Sequence, residues 1–407
     1  MVLFWFRRDL RFEDNHALYR ALKSGSDVMP IFIYDSDITN KLNKNDHRLK
    51  YISETIETLN RKLEANKKKI YTFSGKPINI ISDLIKKFKI KEIYLNKDYE
   101  PYARERDDEI KKKCETNGII FRSFKDHVIF EEDEIVKKDG TPYVVYTPYS
   151  KQWIDKFESN PIKTFNSEGN LECLVDTSKI NNNDYKIGFN KSTIQPIKYS
   201  LDNNVIDKYE DTRNYPALDT TSRIGVNLRF GTVSTRAIVK KSSTRSNNTY
   251  LKELIWREFF IQILWHFPHT TKKSFKDKYE RIEWRNDMDD FKSWCDGKTG
   301  YPIVDAGMNQ LNKTGFMHNR LRMVVGSFLC KHLLIDWRLG EKYFADKLFD
   351  YEQASNVGNW QWVAGCGVDA APYFRIFNPE EQQKKFDKEF DFIRTWIPNF
   401  EKDNYIN

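Results

Sequence analysis

The sequence predicts an α/β N-terminal domain, a five-stranded parallel doubly wound sheet, joined to an all-α C-terminal domain. Three observations lead there. Over the first 125 residues, short apolar runs alternate with helix-like patterns. From about residue 206 the pattern is helical to the end, with few strand signals. Eight of the ten tryptophans lie at or after position 256, more indole than surface helices use.

The elements follow in order. "VLFWF" (2–6) reads as a first buried strand, too short for a membrane span or a secretory leader. "HALYRALKS" (16–24) reads as a helix, "VMPIFIY" (28–34) as a strand and "RLKYISETIETLNRKLEAN" (48–66) as a long amphipathic helix. "IYTFSG" (70–75), "EIYLN" (92–96) and "IIFRSF" (119–124) complete the five strands. Helices at 78–88 and 103–118 separate them. The strands are near-continuously apolar, as a sheet covered on both faces requires. The turn after the first strand, "RRDLRFEDN", carries no GxGxxG, and no GxxxxGK[ST] loop is present, so neither phosphate-binding fingerprint applies.

Residues 126–205 change character. "KKDGTPYVVYTPYSKQW" leads into an Asn/Ser/Lys-rich stretch ending in "NNNDYKIGFNKS", which reads as a connecting segment. The predicted organisation is therefore 1–125, 126–205 and 206–407. Cys114, Cys173, Cys295, Cys330 and Cys366 are scattered and odd in number, which argues against a disulfide framework or a zinc site and for reduced thiols in the cytoplasm. A net charge of +8 and a pI of about 8.9 are compatible with a polyanionic partner without requiring one.

Four constellations lie in the helical half. "TTSRIGVNLRFGTVSTR" (220–236) gathers hydroxyls, Gly225 and Arg223 where a loop enters a helix, which suits a phosphate, although by itself it reads first as an ordinary capped turn with a surface arginine. In "LKELIWREFFIQILWHFP" (251–268), Glu253, Trp256 and Arg257 share one helical face, a cavity wall or the wet edge of a core helix. In 297–337, Asn319, Arg322 and Met323 share a face, and His318, with no second histidine or carboxylate near it in sequence, reads as structural. "GNWQWVAGCGVDAAPYFRIFNP" (358–379) places Trp360 and Trp362 two apart, then the small residues Val363 to Gly367, then the pair Tyr373 and Phe374 and Arg375. On a helix the two indoles stand about 200° apart. With Asp350, Glu352 and Asn356 just upstream, such a pocket suits a planar polar cofactor.

Taken together, "FWFRRDLRFEDNHAL", "TSRIGVNLRFGTVSTR", "ELIWREFF", "GKTGYPIVDAGMNQLNKTGFMHNRLRMVVGSFL", "LLIDWRLGEKYF" and the 358–379 stretch resemble the photolyase/cryptochrome family. The likeness is strongest to bacterial-type cyclobutane pyrimidine dimer photolyases and runs from residue 1 to about 398. The resemblance implies one FAD per chain in the helical domain. Tyr209, Thr221, Ser222, Arg223, Ile224 and Gly225 would hold its phosphates. Asp350 and Arg322 would pair against the ring, with Tyr351 and Glu352 at its edge and Asn356 facing N5. Glu253 and Asn319 would bond the pyrimidine edges of a flipped-out lesion, between Trp256 and Trp362 and above Met323. Arg213, Arg257, Arg320 and Arg375 would meet DNA phosphates. Trp360, Trp337 and Trp284 would relay electrons outward.

The resemblance thus implies a light-driven lyase acting on UV-damaged DNA, a cytoplasmic monomer with no metal, no membrane contact and no obligate protein partner. A blue-light receptor of the cryptochrome type and repair of (6-4) photoproducts are the rival readings. The latter family members place histidines where this chain has Asn319 and Met323. Three departures stand out. Family members usually continue some tens of residues beyond "FIRTWIPNF". "DYEPYARERDDE" (98–109) has Tyr102 and Ala103 where a folate-type antenna site has a polar pair, so a second chromophore and its identity stay open. "DYE" (350–352) replaces two aspartates flanking a glycine.

Overall fold

The computed structural model describes residues 1–43, 45–180, 192–196, 198–245, 247–370, 372 and 375–401. The run 181–191 and the pair Tyr373 and Phe374 lie outside the described residues. The chain forms two compact units, each made of separate stretches. Unit 1 comprises Met1–Glu134, Ile154–Gln195 and Asn227–Lys241, and unit 2 comprises Ile135–Trp153, Pro196–Val226 and Ser242–Asn407.

Unit 1 holds β1 (Val2–Phe6), β2 (Val28–Asp35), β3 (Tyr71–Gly75), β4 (Glu92–Asn96) and β5 (Ile120–Phe124). All neighbours pair in parallel, in the order β3-β2-β1-β4-β5. Every predicted strand is present to within a residue. β1 and β2 are buried along their whole length, as their unbroken apolar runs require. β5 departs from that rule: it is an edge strand, and Ile120 stands 47% exposed. Helices α1 (His16–Leu22), α2 (His47–Glu64), α3 (Pro77–Lys87) and α4 (Pro101–Thr116) form the crossovers. Asn15 Oδ1 caps α1 by accepting from Leu18 N at 3.1 Å, and Asp46 Oδ1 caps α2 by accepting from Arg48 N at 2.9 Å. α3 and α4 begin with proline, whose fixed φ suits a first turn.

Two stretches of unit 1, Met1–Glu134 and Asn227–Lys241, are tied by buried charge. Asp126, 1% exposed, receives Arg11 Nη2 at 2.8 Å and Arg236 Nη2 at 2.9 Å. Each partner comes from a different part of the chain.

Unit 2 is helical. Its long members are α5 (Thr249–His266), α6 (Pro302–Thr314), α7 (Asn319–Ser327), α8 (Trp337–Lys347) and α9 (Gln353–Ala364). α9 packs against α5, α7 and α8. α5 is apolar nearly all round and correspondingly buried. Its one fully buried carboxylate, Glu258, accepts from Trp153 Nε1 at 2.7 Å. Trp294, Trp337, Trp360, Phe328 and Phe344 fill the core. Gly340 on α8 is required by contact: a Cβ there would run into the Trp360 ring and Leu329. No helix among the described residues is long and apolar enough to cross a membrane, and none of their His, Cys, Asp and Glu side chains gather as a metal site.

Candidate functional site

The 358–379 stretch begins inside α9. Trp360 is 4% exposed and meets Phe344 (5.1 Å, 86°) and Trp294 (6.1 Å, 71°) edge-on. Trp362, on the other side of the helix, is half-buried near Phe377 (6.4 Å). Both line one open cavity. The small residues after them serve the helix end instead of the cavity. Gly365 takes φ +87°, and the N–H groups of Gly365 and Cys366 close on Gln361 O at 3.1 and 3.0 Å. Of that run only Val363 lines the cavity.

α7 brings Asn319, Arg322 and Met323 to the same cavity, one face at spacing i, i+3, i+4. The segment before α9 adds Asp350, Tyr351 and Glu352. Arg322 Nη2 bonds both oxygens of Asp350, at 2.9 and 3.2 Å, while its Nε donates to Met317 O at 2.8 Å. Gly225 backs this pair so closely that a Cβ on it would sit 2.7 Å from Asp350 Oδ2. Asn356, 8% exposed, donates from Nδ2 to Glu341 O at 3.0 Å and to Glu341 Oε1 at 2.9 Å. Burial raises the Glu341 carboxyl above its ordinary pKa.

α5 divides its polar face among three partners. Glu253 is ion-paired with Arg213. Trp256 is stacked on Tyr146 at 3.6 Å and 5°. Arg257 Nη2 bonds Glu352 Oε1 at 2.9 Å. Arg257, expected to face a phosphate, is thus committed to a buried carboxylate. Glu253 and Trp256 are not part of the cavity lining.

The loop before Gly225 holds buried donors that the protein leaves unpaired. Asp219 and Arg223 adopt φ of +46° and +56°. Arg223 Nε donates to Asp219 Oδ1 at 2.8 Å, and its guanidinium lies 4.1 Å over Phe316. Its Nη1 and the hydroxyl of Thr220 are buried with no protein partner. Ser222 is buried and accepts from Tyr250, whose hydroxyl burial pushes up to about 12. Tyr209 meets Tyr250 edge-on at 5.1 Å. Thr221 is half-exposed and Ile224 buried. The hydrogen-bond demand of Thr220 and Arg223 fits a nucleotide's phosphates.

Arg320 bonds Asn214 Oδ1 at 2.5 Å, lies 4.3 Å over Phe386, and keeps a buried Nε without a partner. Arg375 is exposed beside Phe377. Trp337 is buried with its indole N–H unpaired, under the Arg338 guanidinium at 4.8 Å, and Trp284 is half-buried against the core. His318 caps α7 through Nδ1, which accepts from Arg320 N at 3.2 Å. Sequence reasoning missed Glu341, Tyr146, Tyr250 and Thr220. Only Thr220 had a signal, its place in the same hydroxyl-rich loop.

Two family models match the chain. The one described as DNA photolyase covers residues 2–167, and the one described as FAD binding domain of DNA photolyase covers residues 250–406. The chain belongs to the DNA photolyase family. A deoxyribodipyrimidine photo-lyase of Alkalihalophilus pseudofirmus is 37% identical over 99% of this chain and 88% of that one. Among solved structures, a bacterial class III photolyase from Agrobacterium tumefaciens superposes with a TM-score of 0.86 at 35% identity, covering 98% of this chain and 86% of that one. An archaeal photolyase from Sulfolobus tokodaii, solved with two FAD molecules, gives 0.83 at 32% identity over 98% and 90% of the chains. A Synechocystis cryptochrome gives 0.82 at 27% over 98% and 88%.

Proposed function

We propose that this photolyase-family chain is a light-dependent lyase that reverses cyclobutane pyrimidine dimers in DNA. One observation carries the reading: Asn319, Met323 and Trp362 face the same cavity as the Arg322–Asp350 pair and Asn356. A lesion and a planar cofactor would therefore share one site. Bound FAD, one per chain, supplies the light-absorbing electron donor. The protein's part is to hold and orient. Thr220, Thr221, Ser222, Arg223 and the Gly225 backbone hold the phosphates, with Tyr209 and Ile224 beside them. Arg322 and Asp350 would hold the ring, and Asn356 would present a polar group to it. Arg257 neutralises Glu352 there.

Asn319 bonds the pyrimidine edge, Trp362 and Met323 cover its apolar faces, and Trp256 is held in plane by Tyr146. Glu253 joins Asn319 when Arg213 turns from it to a phosphate. Arg213, Arg320 and Arg375 position the strand without reading its sequence. A damaged step unstacks at less cost than an intact one, which favours its capture in a pocket. Trp360, Trp337 and Trp284 pass electrons outward. The chain acts as a cytoplasmic monomer with no obligate protein partner. A second chromophore would be an addition to this scheme, not a part of it.

The test is illumination of reduced protein with dimer-containing oligo(dT). Light-dependent recovery of the thymine absorbance band is expected, and no recovery overturns the reading. The cryptochrome neighbour supports one alternative, a blue-light receptor. Flavin that responds to light while dimers persist would favour it.

A further inference from the structure

Glu253 and Arg213 form a half-buried ion pair, and Glu253 does not line the cavity. Asn214, the residue after Arg213, accepts from Arg320 Nη2 at 2.5 Å. The charge of Arg213 reaches Arg320: after burial, it is what lowers the Arg320 pKa from its ordinary value. Of these two guanidiniums only Arg213 has a carboxylate partner among the described residues. Arg320 makes do with the neutral Asn214 oxygen and with Met323 Sδ at 3.7 Å, and its buried Nε has no partner. Two neighbouring cations thus hold one anion and an open donor. A singly charged oxyanion would complete the cluster, and a phosphodiester of a DNA strand is one.

We propose that Arg213 is a specificity-determining residue that withholds Glu253 from the cavity until a strand phosphate draws the guanidinium away, so that a pyrimidine dimer is fully recognised only with its flanking phosphodiester. This inference rests on the lyase reading above. An ion pair as open to solvent as this one is weak enough to exchange partners. A phosphate between Arg213 and Arg320 meets two guanidiniums where Glu253 meets one, which favours the exchange. The released carboxylate can then accept from a pyrimidine N–H. A dimer without phosphate leaves the pair closed and finds Glu253 already satisfied. The pair therefore couples a contact that ignores sequence to one that reads the lesion.

The experiment measures dissociation constants of the FAD-loaded protein in the dark for two probes, dimer-containing oligo(dT) and a thymine dimer of bare bases without sugar or phosphate. Wild type is compared with Arg213→Met, Arg213→Gln and the double variant Arg213→Met with Glu253→Ala, and thermal unfolding is followed alongside. Each single variant is expected to bind the bare dimer several-fold tighter than wild type and the oligonucleotide several-fold more weakly. Loss of folding would weaken both, so the opposite signs identify the latch. Adding Glu253→Ala to Arg213→Met should remove the gain. Bare-dimer binding that is no tighter than wild type in both folded single variants overturns the proposal, and so does a gain that survives Glu253→Ala. Wild-type protein that binds damaged and undamaged oligo(dT) alike overturns the reading beneath it as well, whereas a preference for the damaged strand with no gain in the variants leaves that reading standing.

Discussion

Arg257 on α5 donates to Glu352 Oε1 at 2.9 Å, and the two side chains keep only 12% and 7% of their exposure. The pair fastens the long apolar helix to the segment that opens α9. Removing the guanidinium leaves a carboxylate buried beside the cavity with its main counter-charge gone.

Arg257→Met is therefore expected to destabilise the apoprotein by about 3 kcal/mol in urea unfolding, the usual cost of orphaning a buried charge. Flavin retention should fall with it. The salt dependence of DNA binding should stay as in wild type. A changed salt slope with unchanged stability would return Arg257 to the phosphate-contacting set.

Arg320 and Arg375 should behave in the opposite way. Arg320→Gln and Arg375→Gln are each expected to reduce the slope of log K against log salt by about 1, with flavin retention intact. Arg320 should show the larger loss of affinity, because its guanidinium is already ordered by Asn214 and Phe386.

His318 makes stability depend on acid. Burial, then the charges of Arg223, Arg322 and Arg320, lower its pKa from 6.5 to about 4. The folded state thus binds fewer protons than the unfolded state between those values. Its stabilising contribution is complete above pH ~6.5 and is lost as pH falls toward 4, by about 3 kcal/mol in all. His318→Asn, which retains a capping side chain, should flatten the apoprotein's melting profile over that window. An unchanged profile would remove His318 as its source.

Gly340→Ala should cost about 2 kcal/mol, a typical penalty for an extra carbon in a filled core. The new Cβ meets the Trp360 ring, so the near-UV circular dichroism of the tryptophans should change as well. Full stability with an unaltered spectrum would show that α8 and α9 slide apart freely.

The sheet was legible because its strands are continuous apolar runs separated by capped or proline-led helices. Burial on both faces leaves β1 and β2 few alternatives. The cavity face of α7 was legible for a similar reason, since i, i+3 and i+4 put Asn319, Arg322 and Met323 together on any helix. Partner choice was not. Spacing places Glu253, Trp256 and Arg257 on one face, yet each finds a different neighbour from a remote segment. Asn356 and Glu341 are joined only by the packing of α9 on α8, which no local pattern records. The small residues after Trp362 look like room for a ligand in sequence, whereas the backbone uses them to end a helix. Asn227–Lys241 reads as part of the helical half but belongs to unit 1, because Arg236 is drawn to Asp126.

That last attachment bears on how the protein is made. Unit 1 includes residues up to Lys241, so the ribosome must translate well past the fifth strand before Asp126 can receive its second arginine. An emerging chain that stops at Glu134 carries the whole sheet but leaves that carboxylate with Arg11 as its one arginine. Such a nascent chain is expected to be a protease-sensitive intermediate, which becomes resistant once the Asn227–Lys241 segment clears the exit tunnel.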